Sequence, residues 1–379
     1  MFGVEVVRDP AAPDDTQAFI NALNTGRTVL VPAGDWRLWR GALPPLQSGQ
    51  RIVGEGATLS KLLFSGPNGD AIRLSNQVDS NTHWPSGVQD LAIWGTDEGS
   101  GAGIAILGGA GNTVRDCVVG GFDVLLDLDG AECCIVDGLT LWCPIAGAQY
   151  PRYGIRFCEG AEGGRGFTVP GATNCNRITN LSVISGATVA PVLFGGISNT
   201  ISGFNSNAGG WRVRGNNICI EHGCFEIQRD ATECVLAMGG GPVAWSFHLD
   251  DIQVTRGPLV RFQADPSGTP TVFGLTATRI MTGGASQHLI QCESAYNLAG
   301  WCIISGDHWG PGRAVNIDQP YAEIAIAAIA EYAQPAGQGR GSIGLGVLNP
   351  TDGTVVMRGA GFQPTVARAV YGSVERWRE

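Results

Sequence analysis

A chain of 379 residues with 57 glycines, 44% hydrophobic residues and only 15% charged residues has room for one elongated domain or two globular ones. Abundant glycine serves tight turns at short intervals and scarce charge suits stacked buried strands, while the hydrophobic share excludes low-complexity disorder. The formal net charge of −10 argues against a nucleic-acid partner but is compatible with an acidic glycan.

Met1-Phe2-Gly3 leads straight into patterned sequence, with no basic and then apolar leader and no 18-residue apolar run. Neither a secretion signal nor membrane insertion is therefore expected. Asp14 or Asp15 ahead of Thr16 is a helix N-cap, and Ala18, Phe19, Ala22 and Leu23 make one apolar helical face. Val29-Leu30-Val31-Pro32 reads as a short buried strand closed by proline. Ile52-Val53-Gly54-Glu55-Gly56 and Lys61-Leu62-Leu63-Phe64 follow as the first strands of a stack.

From Val88 a strand, polar turn, strand unit recurs: 88–93, 114–119, 135–141, 178–183, 220–227 and 249–254. A second family of strands alternates with it at 103–106, 124–126, 154–157, 191–194, 211–213 and 259–262. The starts at Leu91, Cys117, Leu139, Leu181, Phe204, Phe225 and Ile252 are 26, 22, 42, 23, 21 and 27 residues apart. A period of about 20–30 residues, made of strands without helices, is the mark of a β-solenoid. The 42-residue interval is either two coils or one coil with an excursion, which the prolines, glycines and aromatics of 144–176 suit. After about Gly310 the period dissolves, and 347–359 reads as a hairpin around Asp352-Gly353. These features divide the chain into 1–65 (cap helix and first strands), 66–310 (body) and 311–379 (closing or trimer-locking segment).

The eleven cysteines are odd in number and irregularly spaced, which argues against a disulfide framework and for folding in a reducing cytoplasm. Cys133-Cys134, Cys219, Cys224 and Cys302 fit as small residues stacked inside the solenoid. With no C-x-x-C pair, neither a metal nor another cofactor is expected.

Asp90, Asp116, Asp137, Asn180 and Asp251 recur at the turn between paired strands, where short side chains bond backbone amides. They read as a structural ladder and are left out of the candidate site. Glu221 and Asp250 differ. In Ile218-Cys219-Ile220-Glu221 and Phe247-His248-Leu249-Asp250 the apolar residues alternate inward, so Cys219, His248, Glu221 and Asp250 point outward. On neighbouring strands the two carboxylates share one position, about 4.8 Å apart between backbones. So close a pair resists double ionisation and raises one pKa, giving an acid beside a base. Glu226 is the third catalytic candidate, expected to stack outward with Gln253 and Arg279 on the following strand face. His222, His248, Arg229, Arg256 and Arg279 are candidate substrate-binding residues, with Arg229 and Arg256, at the strand ends, as forked donors to an acidic sugar. Asp307, His308 and Trp309 form a second cluster. Trp142 and Trp245, beside turns, join Trp309 as faces for sugar rings, whereas Trp211 and Trp301 read as packing residues.

The Asp14-Asp15-Thr16 helix followed by Val29-Leu30-Val31-Pro32-Ala33-Gly34 resembles the entrance to right-handed parallel β-helices of the pectate-lyase-like superfamily, over roughly the first 65 residues. Many bacteriophage tailspikes and capsule depolymerases open this way. The resemblance implies an all-β fold: a right-handed, single-stranded parallel β-helix with an N-terminal capping helix and a C-terminal β-rich closing segment. It further implies a homotrimer on a virion tail that binds a bacterial surface polysaccharide, and with no appended head-binding domain in the sequence, attachment through other tail or baseplate proteins is expected. Hydrolysis by Glu221 and Asp250 leads, with a polysaccharide lyase and a non-catalytic receptor-binding spike as the alternatives.

Overall fold

The computed structural model describes residues 3–74, 85–142, 151–158, 173–184, 187, 189–213, 215, 217–226, 233–237, 247–256, 258–262, 271–285, 290–293, 298–308, 315–318, 322–328, 345–348 and 355–358, with side chains described no further than Ile280. Among these residues the chain is almost all β with a single α-helix, and its strands run in long parallel ladders, consistent with a parallel β-helix. Two units are distinguished, residues 1–204 and 205–379.

In the first unit the helix Thr16–Leu23 buries Phe19, Ala22 and Leu23, while Ala18 is only half-buried. The two aspartates ahead of it divide the labour. Asp14 Oδ1 accepts the Thr16 amide at 2.8 Å, whereas buried Asp15 accepts the Arg37 amide at 2.8 Å and pairs with Arg8 at 2.9 Å. Phe19 meets Trp36 edge to face at 5.6 Å, fixing the helix on the strand Gly34–Trp39. The strand Val29–Val31 buries Val29 and Val31 but leaves Leu30 41% exposed, so it alternates rather than lying wholly inside.

Successive coils then stack. Gly87, Thr113, Ile135 and Arg177 are parallel partners in one ladder, and Ala92, Val118, Thr140 and Ser182 in its continuation. Ile72–Leu74, Ala102–Leu107, Val124–Asp129, Tyr153–Cys158 and Ala190–Phe194 form the other ladder. Direct pairing of Ile135 with Arg177 settles the 42-residue interval as one coil with an excursion. Inward aliphatic residues line the space between ladders, with Phe64 and Phe122 edge to face at 6.2 Å and Phe157 stacked on Phe194 at 5.0 Å. A buried polar column runs beside them. The Ser86 amide donates to Asn112 Oδ1 at 3.1 Å, Cys134 to Asn176 at 2.9 Å, and Asn176 to Asn199 at 2.9 Å. Each such amide pairs without water, which a buried turn requires.

Four residues after each member of that column the backbone turns left-handed: Asp90 (φ 57°), Asp116 (φ 48°), Gly138 (φ 66°), Asn180 (φ 53°) and Gly203 (φ 67°). The expected ladder is thus corrected by one place. Asp137 ends its strand as the partner of Arg115 and Thr179, and Gly138 takes the turn. Asp137 still links coils, because Oδ1 accepts Thr179 Oγ1 and Asn180 Nδ2, each at 2.7 Å. Those two bonds hold its carboxyl below the usual value.

The second unit repeats the design. Its one ladder joins Ile218–Phe225, Phe247–Arg256, Thr271–Ala285, Leu298–His308, Ala322–Ala328 and Val355–Arg358. Its other joins Trp211–Val213, Val235–Ala237, Val260–Phe262, Ile290–Glu293, Val315–Asp318 and Leu345–Leu348. The expected hairpin at 347–359 is therefore absent: Leu345–Leu348 and Val355–Arg358 belong to different ladders, each parallel to the coil before. Asp352-Gly353 is a turn signal in sequence, yet pairing with the preceding coil satisfies both strands. Buried Trp211 packs edge to face on Phe225 at 5.0 Å, as a core residue should.

Gly138 provides the check on the turn column. A methyl there would be left-handed and would strike Asp116 Oδ1. Gly138→Ala is expected to cost about 1–2 kcal/mol in urea unfolding. Equal stability of Gly138→Ala and the parent would remove the left-handed assignment.

Candidate functional site

Three neighbouring parallel strands of the second unit, Ile218–Phe225, Phe247–Arg256 and Thr271–Ala285, build the site. Ile218, Phe247 and Leu275 form one inward row and Ile220, Leu249 and Ala277 the next, all buried. Strand alternation therefore turns the rows between them outward: Cys219, His248 and Thr276, then Glu221, Asp250 and Thr278. Both expected carboxylates share one row, and both are half-buried.

The following row is the turn. His222 (φ 52°), Asp251 (φ 53°) and Arg279 (φ 52°) are all left-handed and exposed. A bulky residue in that conformation costs roughly 1–2 kcal/mol relative to glycine. In residues 1–204 the left-handed positions of this turn column are Asp90, Asp116, Gly138, Asn180 and Gly203, residue types that suit the turn. Here a His, an Asp and an Arg occupy it, and strained backbone of this kind concentrates where side chains have work.

Arg279 is the reason the row matters. Its Nε donates to Asp250 Oδ1 at 3.0 Å, its Nη2 donates to Oδ2, and Thr278 Oγ1 donates to Oδ1 at 2.6 Å. The Arg279 hydrogen bonds first, then that of Thr278, hold Asp250 below its ordinary value against the opposing effect of burial. Asp250 is therefore not the member of the pair whose pKa is raised, because the Arg279 guanidinium and the Thr278 hydroxyl outweigh the effect of burial. Asp250 is thereby held in its ionised form. Glu221 meets a different neighbour: Cys219 Sγ lies 3.5 Å from Oε2. Burial, then Glu221, pushes that thiol up to about 12, so it stays a neutral donor. His222 Nδ1 and Asp251 Oδ2, both exposed, are 3.0 Å apart.

Other expected residues fall as follows. Glu226 is exposed just beyond Phe225, its amide donating to the Ser206 carbonyl at 2.8 Å. Arg279 sits in the turn row and not on the following strand face with Gln253; the partner of Gln253 there is Met281. Backbone register carries Asp307 and His308 to Met281 and Thr282 on the same sheet. Arg256 ends its strand opposite Ala285. Trp142 is 44% exposed and lies in the first unit. Arg229, Trp245 and Trp309 lie outside the described residues, as do the side chains of Arg256, Asp307 and His308. Sequence reasoning missed Thr278 and assigned Asp251 to a purely structural ladder. Aligning Leu275-Thr276-Ala277-Thr278 with Phe247-His248-Leu249-Asp250 would have found both Thr278 and the place of Arg279.

No protein-family model and no curated protein matches the chain. Among solved structures it is similar to the catalytic unit of a thermostable GH87 α-1,3-glucanase from Streptomyces thermodiastaticus, at 14% identity and a TM-score of 0.53, covering 88% of this chain and 69% of the other. It is also similar to the catalytic domain of a GH87 α-1,3-glucanase D1045A variant in complex with nigerose, at 13% identity and a TM-score of 0.50, covering 94% and 70%. Bacteriophage phi29 gene product 12 is more distant, at 13% identity and a TM-score of 0.42, covering 94% and 62%. The two glucanase likenesses establish the fold, a parallel β-helix.

Arg279→Gly tests the ion pair. Asp250's folded pKa lies below its ordinary 3.8, so its contribution is complete above that value and is lost as pH falls through the folded pKa. Glycine accepts the left-handed turn but releases Asp250. The variant is expected to approach the parent's urea midpoint at pH 7 and to lose less than the parent on going to pH 3. An identical acid response in both proteins would show that Arg279 does not hold Asp250.

Proposed function

We propose that this chain is a glycan-cleaving protein of the tailspike type, acting on a bacterial surface polysaccharide by hydrolysis. The observation that carries the reading is the in-register outward pair Glu221 and Asp250, with Asp250 kept ionised by Arg279 and Thr278. Hydrolysis of a glycosidic bond needs one carboxylic acid to protonate the leaving oxygen and one carboxylate to activate water or attack carbon. Two carboxylates in different surroundings divide those roles. Glu221 is the proton donor. Asp250 is the carboxylate: three of its roughly four acceptor positions are used, leaving one for a water or a sugar hydroxyl. A carboxyl spacing of about 5 Å would give retention and about 6.5–9.5 Å inversion, so the anomer of the product reports the geometry.

His222 and His248 lie in the rows adjoining the pair and would contact flanking sugar units, with Glu226, beyond the end of the strand, contacting a more distant one. Trp142, being exposed, offers an aromatic face in the first unit. The fold is proposed in its finer form as a right-handed, single-stranded solenoid, with the helix Thr16–Leu23 as its cap and 311–379 as its closing segment. Assembly as a homotrimer on a virion tail, through other tail or baseplate proteins, belongs to the same proposal.

One observation favours a second reading. Asp250 is bonded on both oxygens, as a structural ion pair would be, which suits a spike that binds a glycan without cleaving it. Reducing-end release from a panel of capsules, exopolysaccharides and lipopolysaccharides, read with absorbance near 235 nm, separates the cases. Hydrolysis predicts new reducing ends without absorbance, and a fall of at least about 100-fold in kcat for Glu221→Gln and for Asp250→Asn. Absorbance would replace hydrolysis by elimination. Binding without any cleavage of the host polysaccharide would overturn the enzyme reading.

A further inference from the structure

The left-handed turn column has a counterpart one corner earlier in the first unit. Ala110, Glu132, Asn174 and Ile197 are parallel bridge partners on successive coils. The residues that follow are all left-handed: Gly111 (φ 73°), Cys133 (φ 51°), Cys175 (φ 57°) and Ser198 (φ 59°). The two cysteines are thus stacked directly, one coil apart, although 42 residues of chain separate them. Each backbone is pinned. The Cys133 amide donates to Asn174 O at 2.9 Å, and the Cys175 amide to Ile197 O at 3.0 Å.

Both side chains are exposed, which corrects the expectation that Cys133 is packed inside. Cys134, next in chain, is the buried one, and its thiol is pushed up to about 12 chiefly by burial. The Cys133 and Cys175 side chains leave adjacent coils at the same turn position, each following a bridge partner of the other coil. Neighbouring coils lie about 4.8 Å apart, inside the roughly 4.4–6.8 Å between Cα atoms that a disulfide spans.

We propose that Cys133 and Cys175 form a cross-coil disulfide when the protein meets an oxidising small-molecule disulfide. The Cys133 thiolate attacks one sulfur of the oxidant, forms a mixed disulfide and expels a thiolate. The Cys175 thiolate then attacks the Cys133 sulfur, closing the protein disulfide and releasing the second thiol. Two protein thiols are oxidised and one disulfide is reduced to two thiols. The bond closes a loop of chain that contains the strand Tyr153–Cys158 and joins two neighbouring coils directly. A staple of this kind restrains the unfolded chain and raises stability without altering the folded backbone.

Burial, then the adjacent Cys175 and Glu132, raises the Cys133 pKa. Its thiolate fraction at neutral pH is accordingly small, and the rate is expected to climb from pH 7 to pH 9. The test treats the full chain with oxidised glutathione and maps peptides by mass. The expected product has lost two hydrogens and contains a Cys133–Cys175 linked peptide, and its urea midpoint exceeds that of the reduced form. Cys175→Ser should instead retain a glutathione on Cys133 and show no such rise. Two glutathiones on the parent without a link, a link to another cysteine or another chain, or no reaction at either residue would each overturn the proposal.

Discussion

A left-handed residue at the turn between paired strands, found among the described coils from Asp90 to Arg279, is the constraint on which the rest depends. It bends the chain so that the strands after it restart in register with the coil below, and register decides which side chains face out. Where only the bend is needed, the position holds what tolerates it: Asp90, Asp116, Gly138, Asn180 and Gly203. The buried Ser86, Asn112, Cys134, Asn176 and Asn199 column, four residues earlier, supplies the complementary satisfaction of backbone groups. Turn and column together repeat on successive coils from Ser86 to Gly203.

In residues 205–379 the same backbone position carries His222, Asp251 and Arg279. A turn that costs energy with such side chains places an imidazole, a carboxylate and a guanidinium beside an outward carboxylate pair. Arg279 reaches back one row to Asp250. This is how a repetitive scaffold generates local asymmetry: Glu221 and Asp250 are equivalent by register, yet one sits against a thiol and the other against a cation. Different surroundings for two carboxylates are the condition for acid–base chemistry.

Strand positions were legible because inward aliphatic residues alternate, as in Ile218, Ile220 and Leu249, and period-2 alternation survives without long-range information. The outward direction of Glu221 and Asp250 followed from it. What failed was the turn. Asp137 looks like the ladder residue because it matches Asp116 in type, but only the pairing of Ile135 with Thr113 shows that Gly138 bends. Asp352-Gly353 reads as a hairpin for the same reason, since local turn chemistry cannot reveal a parallel partner a whole coil away. The hold of Arg279 on Asp250 was not legible at all: it joins residues 29 positions apart through a turn whose register must be known first.

The most direct test of the account is the carboxyl titration of Asp250, followed by carbon-13 NMR in the full chain with selectively labelled aspartate. The account predicts that Asp250 titrates below its ordinary value of 3.8 and moves upward in Arg279→Gln. A titration at the ordinary value in both proteins would contradict it, because Asp250 would then be an unheld surface carboxylate and the pair would have no division of roles.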